Sequence, residues 1–225
     1  MILSASAGSP AAVRPPSAVT LEYLRETLAG EKPATWVVTG EGLPAEEPGV
    51  AARLETRVRR VWGRDADTVV CTCRRADRLV ALAADLHARV LRHEPTAAVL
   101  LLGRGDARPQ QRQAELDALE RILSQLDVAG VATVVLPPTP KGVGTNLTLN
   151  AADERLRRSC ERIARTYGAV VVRTAECDEP KLLAEALFHK LGLNRSPRRR
   201  PQPAVVSEPS LHEAIFSGRD TATVD

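Results

Sequence analysis

Ala97-Ala-Val-Leu-Leu-Leu102, closed by Gly103-Arg-Gly-Asp106, is the stretch on which the reading of this chain turns. An unbroken aliphatic run leaves no polar face, so it predicts a strand covered on both sides, as central strands of parallel sheets are. Immediately upstream, Pro95 stops a helical stripe of Leu79, Leu82, Leu86 and Val90, spaced as a buried helix face requires. Further back come a strand at Thr68-Val-Val-Cys-Thr72 and a helix from Pro48 that buries Val50, Leu54, Val58 and Val61. Another strand, Thr35-Trp-Val-Val-Thr39, lies between Pro33 and Gly40, and a first helix, Leu21 to Leu28, has Thr20 as N-cap and Gly30 as stop.

Downstream the alternation continues. Leu116, Leu119, Ile122, Leu123 and Leu126 stripe a helix ending near Gly130, and a strand follows at Ala132 to Leu136. Leu156, Cys160, Ile163 and Tyr167 carry the next helix, Ala169 to Val172 the fifth strand, and Leu183 to Leu191 the last helix. Strands joined by helices pair in parallel, because parallel neighbours need crossover connections, and the helices then cover both faces. The expected fold is a three-layer α/β/α sandwich with a five-stranded parallel sheet. Ligands of such sheets bind beyond the carboxyl ends of the strands, so chemistry is sought after Thr39, Thr72, Leu102, Leu136 and Val172.

Composition narrows the function classes. The 225 residues are 44% hydrophobic and 26% charged with a net charge of +3, enough chain for one sizeable core and no field that calls for a polyanion. Only 3% are aromatic, which argues against modules that stack nucleic-acid bases on rings. No nucleic-acid partner is therefore expected. No apolar run is long enough to span a membrane, and Met1 to Ser17 lacks the pattern of a secretory signal, so the expected location is cytoplasmic, with no membrane partner. Cys71, Cys73, Cys160 and Cys177 lack the CxxC pairs of a zinc site and read as buried small hydrophobes, with no metal and no cofactor expected.

Residues 1–19 read as a flexible N-terminus, 20–193 as the folded domain, and 194–225 as a disordered basic, Pro-rich tail containing Arg198-Arg-Arg200. Within the tail, Ser210-Leu-His-Glu213 has capping-box spacing ahead of Ala214-Ile-Phe216. Ser210 to Phe216 could therefore fold as a short helix on docking a partner, or be part of a solvated tail.

Two segments carry a family resemblance. Thr35 to Gly42 and Arg89 to Asp106 resemble blocks of the SGNH/GDSL hydrolases, and the ending Leu187-Phe-His-Lys-Leu-Gly-Leu193 is similar to that of many members. The likeness extends in element order from about Trp36 to Leu193 and implies a flavodoxin-like hydrolase fold with ester-bond chemistry. The family's first block ends in Gly-Asp-Ser, whose serine is the nucleophile; here the corresponding residues are Gly40-Glu41-Gly42. Its third block supplies an asparagine to the oxyanion hole, where this chain has Gly105. The glycine of its second block has no match in Cys71-Thr-Cys-Arg74-Arg75-Ala-Asp77, and its closing Asp-x-x-His occurs nowhere.

No catalytic residue is therefore expected at the degenerate positions Gly42 and Gly105. Glycine cannot be acylated, and His87, His93, His189 and His212 all fall away from the place of the general base. The chain reads as a pseudo-hydrolase with a binding, regulatory or partner role. The alternative is a divergent esterase, acylhydrolase or carbohydrate deacetylase. Glu41, Arg74, Arg75, Arg104 and Asp106 would gather at the carboxyl edge, either as a cleft for a small-molecule anion or as solvated loop charges pairing with Glu41, Asp77 and Asp106. Glu41 with Asp106 is a further candidate as an acid/base pair. The partner is thus a small anion or another protein.

Overall fold

Val and Leu runs with no polar side can be satisfied only between two layers, and that is where they lie. The computed structural model describes residues 17–42, 49–75, 77–103, 111–138, 147–173 and 180–193. In chain order the elements are α1 (Ser17–Ala29), β1 (Thr35–Gly42), α2 (Val50–Thr56, continued by a π-helical turn Arg57–Val61), β2 (Thr68–Cys71) and β3 (Arg74–Arg75). Then come α3 (Leu79–Ala84), α4 (Leu86–Arg89), β4 (Ala97–Leu101), α5 (Arg112–Val128), β5 (Ala132–Leu136), α6 (Leu147–Thr166), β6 (Val170–Val171) and α7 (Pro180–Leu191).

All strand pairs are parallel, in the order β2-β1-β4-β5-β6, with Trp36 opposite Ala97 and Val99 opposite Val134. This is the expected five-strand sheet. The one addition is β3, which pairs with the end of β1 at Glu41–Arg74 and Gly42–Arg75. Every residue of β4 and β5 is buried. Alternate residues face opposite layers: Trp36, Val38, Val99, Leu101 and Val134 pack with α1, α2 and α7, while Val37, Ala98, Leu100 and Val135 pack with α3, α4, α5 and α6.

Three local expectations are corrected. Strand β1 runs to Gly42 rather than ending at Thr39. Thr20 lies inside α1, not at its cap; its buried hydroxyl donates to the Gly168 carbonyl at 2.9 Å, so a distant partner has taken the group from local capping. The helical stripe from Leu79 to Val90 breaks at Asp85 (φ −102°, ψ 11°), and beyond the break Arg89 donates to the Thr72 carbonyl. Pro48, expected to open a helix, lies outside the described residues, and α2 begins at Val50.

Two charge clusters hold segments that apolar packing leaves free. Arg64 is buried and donates to the carbonyls of Leu28, Gly30 and Lys32 and to both carboxylate oxygens of Asp67, each at 2.8 Å. Asp67 in turn accepts the Ala34 N–H at 3.0 Å and the Trp36 Nε1–H at 3.4 Å. One buried ion pair thus fixes the turn from α1 into β1. On α6, Glu154 pairs with Arg157 and Arg158, and Glu161, almost fully buried, takes Arg157, Arg165 and Arg173. Arg173 follows β6, so this cluster ties helix to strand end.

Candidate functional site at the carboxyl edge of the sheet

The ends of β1 and β4 make the floor of a cleft walled by α3, α5 and α6. Two glycines allow these strand ends to approach. Gly40 has φ +110°, and a Cβ there would lie 2.1 Å from the Leu101 carbonyl oxygen, a backbone contact that cannot yield. Gly103 has another reason to lack a side chain: its Cβ would fall 0.9 Å from Glu41 Oε2. The side chain of Glu41 therefore lies across the end of β4.

The other charges of the cleft come in opposed pairs. Asp77 meets Arg89, and both side chains are 4% exposed. The same Arg89 Nη2 also reaches the Thr72 carbonyl at 2.7 Å and the Thr39 hydroxyl at 3.3 Å. Arg78 donates through Nε to Glu115 at 2.7 Å, and the other oxygen of Glu115 accepts the Val80 N–H at 3.3 Å, at the start of α3. Glu115 is thus both ion-pair partner and helix cap. The cavity that remains is about 30 Å³, space on the order of a single water. A larger hollow of about 230 Å³ lies at the opposite edge of the sheet, between Tyr23, Tyr167 and Asp127.

Among the described residues lining the cleft there is no serine, threonine or histidine. Its cysteine, Cys160, is buried, and burial pushes its thiol up to about 12, far from a thiolate nucleophile at neutral pH. His87 and His189 are exposed on α4 and α7, and half-buried His93 precedes β4 at the other edge. His212 lies outside the described residues.

Of the residues singled out from the sequence, Glu41 lines the cleft. Gly42 ends β1 beside Arg75. Arg74 and Arg75 are exposed on β3, Arg74 facing Asp85 at 3.5 Å, and neither lines the cleft. Arg104, Gly105, Asp106 and the tail segment Ser210 to Phe216 are outside the described residues. Sequence reasoning passed over Arg78 and Glu115, which line the cleft, and Arg89, which pairs with the lining Asp77. Arg89 had a readable signal. It stands seven residues after Leu82 and three after Leu86, on the buried face of a helix, where a charge requires a partner.

The assumption that the cysteines are buried small hydrophobes holds for Cys160 and fails for Cys71, which is exposed; Cys73 is intermediate. Cys177 is outside the described residues. Among those residues no helix is long and apolar enough to cross a membrane.

No family model matches the sequence, and no curated protein matches it. Solved structures do match the fold. An α/β hydrolase enzyme from the metagenome of Lake Arreo, Spain, aligns with a TM-score of 0.61 at 15% identity, covering 72% of this chain and 97% of that one. An acetylxylan esterase from Geobacillus stearothermophilus aligns with a TM-score of 0.59 at 11% identity, over 71% of this chain and 94% of the esterase. A protein described as a GDSL-like lipase, from Parabacteroides merdae, gives 0.62 at 12% identity, over 72% and 97%. Likeness at these identities is likeness of fold.

Proposed function

We propose, from the premise that this chain has the fold of the SGNH/GDSL hydrolases, that it is a pseudo-hydrolase: a protein without serine-esterase chemistry that binds a ligand or partner or regulates one. The observation that carries this reading is the filling of the cleft. Glu41 lies across the end of β4, and Asp77 and Glu115, the other carboxylates among the described residues of the cleft, are each paired with an arginine. A hydrolase of this kind needs a nucleophile and a base within hydrogen-bond reach of each other. Gly42 at the nucleophile position offers neither.

The test is direct. The purified full chain, given p-nitrophenyl acetate, is expected to show no turnover above the buffer rate, and a fluorophosphonate probe to leave it unlabelled. Turnover that fluorophosphonate abolishes would overturn the proposal. It would favour the second reading, a divergent esterase, acylhydrolase or carbohydrate deacetylase, which draws support from the esterase and lipase names of the solved structures sharing the fold. The binding role has two occupants, a small anion, for which Arg74, Arg75 and Arg104 are the cationic candidates from the sequence, or a protein partner. Thermal unfolding separates them. A rise in Tm with millimolar phosphate or acetate supports the anion, because a ligand that binds only the native state stabilises it by mass action. A flat response leaves the protein partner.

A further inference from the structure

The outer edge of the sheet carries a pair of thiols to which neither fold nor cleft gives a use. Edge strand β2 ends at Cys71, the Thr72 N–H still donates to the Val38 carbonyl of β1 at 2.9 Å, and strand pairing with β1 begins again at Arg74. In extended chain, residues two apart face the same side. By that spacing Cys71 and Cys73 share a side, and the two thiols perturb each other's titration. The outer thiol, Cys71, is exposed. The inner one packs against the hydrophobic core, with its Sγ 3.6 Å from the Val38 carbonyl oxygen.

We propose that Cys71 and Cys73 form a thiol–disulfide exchange site for small-molecule disulfides, with exposed Cys71 as the attacking sulfur and Cys73 as the resolving one. The pair is electrically asymmetric in the sense this division needs. Hydrogen bonding from the Cys73 side chain, assisted by the Cys73 backbone N–H, lowers the Cys71 thiol to about 6 against the opposing effect of burial. Cys73 moves the other way: it keeps the shared proton beside the Cys71 thiolate, and burial raises it further. The thiol that is lowered is the one that solvent can reach, and the thiolate is the reacting form.

The exchange balances without any other reagent. The Cys71 thiolate attacks one sulfur of a disulfide R–S–S–R, forms a mixed disulfide and expels R–S⁻. Cys73 gives its proton to that leaving thiolate, attacks the Cys71 sulfur and expels the second R–S⁻, which takes a proton from solvent. A Cys71–Cys73 bond forms; two protein thiols are oxidised and one small-molecule disulfide is reduced to two thiols. Thr72 separates the two cysteines along the chain, and its carbonyl accepts from Arg89, the partner of Asp77. The redox state of the pair is thus one hydrogen bond from the ion pair of the cleft.

Intact-mass analysis of the full native chain tests this without a variant. After reduction, exposure to oxidised glutathione and alkylation, the chain is expected to lose two hydrogens and two alkylatable thiols, both mapping to the peptide that contains Cys71 and Cys73. A bridge to Cys160 or Cys177, or an unchanged mass while glutathione oxidises a control dithiol, overturns the proposal. Two variants assign the roles. Cys73→Ala is expected to accumulate the mixed glutathione disulfide and to move the pH midpoint of Cys71 alkylation from near 6 towards that of an ordinary thiol, about 8.5. Cys71→Ser is expected to form no bridge. Alkylation midpoints that coincide in the native chain and Cys73→Ala would remove the division of labour and the proposal with it.

Discussion

Gly103 shows how a single residue can have a cause that its neighbours in sequence do not reveal. After an aliphatic strand it reads as turn punctuation, yet what excludes a side chain there is Glu41, reached from another strand. Gly103→Ala should cost about 1–3 kcal/mol, the usual price of forcing atoms into filled space. In a Glu41→Gly background most of that cost should vanish, because the carboxylate and the Glu41 Cβ, itself 2.6 Å from the new methyl, are both gone. Urea unfolding of the four chains in the cycle gives the coupling; equal costs in both backgrounds would mean that Glu41 is not the obstacle. Gly40 has no such escape, since its obstacle is the Leu101 carbonyl. The two glycines look alike in the sequence and differ in what a substitution would meet.

Elements are held by apolar faces that the sequence displays and by ion pairs that it conceals. Arg64 and Asp67, three apart, resemble any charged loop, but both are buried and together they organise the turn between α1 and β1. Arg64→Met should destabilise the fold by about 3–5 kcal/mol, because Asp67 is left as a buried charge without its cation. Chemical denaturation measures this directly. On α6 the effect is tied to pH. Arg157 and then Arg158, by hydrogen bonding to its carboxylate, hold Glu154 down to about 2. A carboxylate depressed on folding contributes stability that is fully present above its unfolded value, about 4.3, and is lost as pH falls towards the folded one. Glu154→Gln is therefore expected to flatten the loss of stability between about pH 5 and pH 2. Glu154 is partly exposed, so salt should shrink the difference.

Across the whole molecule, the class and layering of the fold were legible because apolar periodicity is a local property. The run Ala97 to Leu102 is apolar on both sides, and β4, its strand, is buried on both sides. Scarce aromatics are accounted for too: a parallel sheet between helices fills its layers with Val, Leu, Ile and Ala, and Trp36 is fully buried with its N–H on Asp67. The candidate site was legible only where it lies on a strand end. Glu41 could be placed there by following β1, and Arg74 and Arg75 by following β2, but their side-chain directions could not. What the sequence by itself determined was the alternation of strands and helices, the parallel sheet and the edge at which to search. Only the tertiary structure decided that Arg78 meets Glu115, that Arg89 meets Asp77, that Glu41 lies over Gly103, and that one thiol of Cys71 and Cys73 faces water. Periodicity reports which side of an element is buried, whereas a pairing depends on where each crossover brings the chain back.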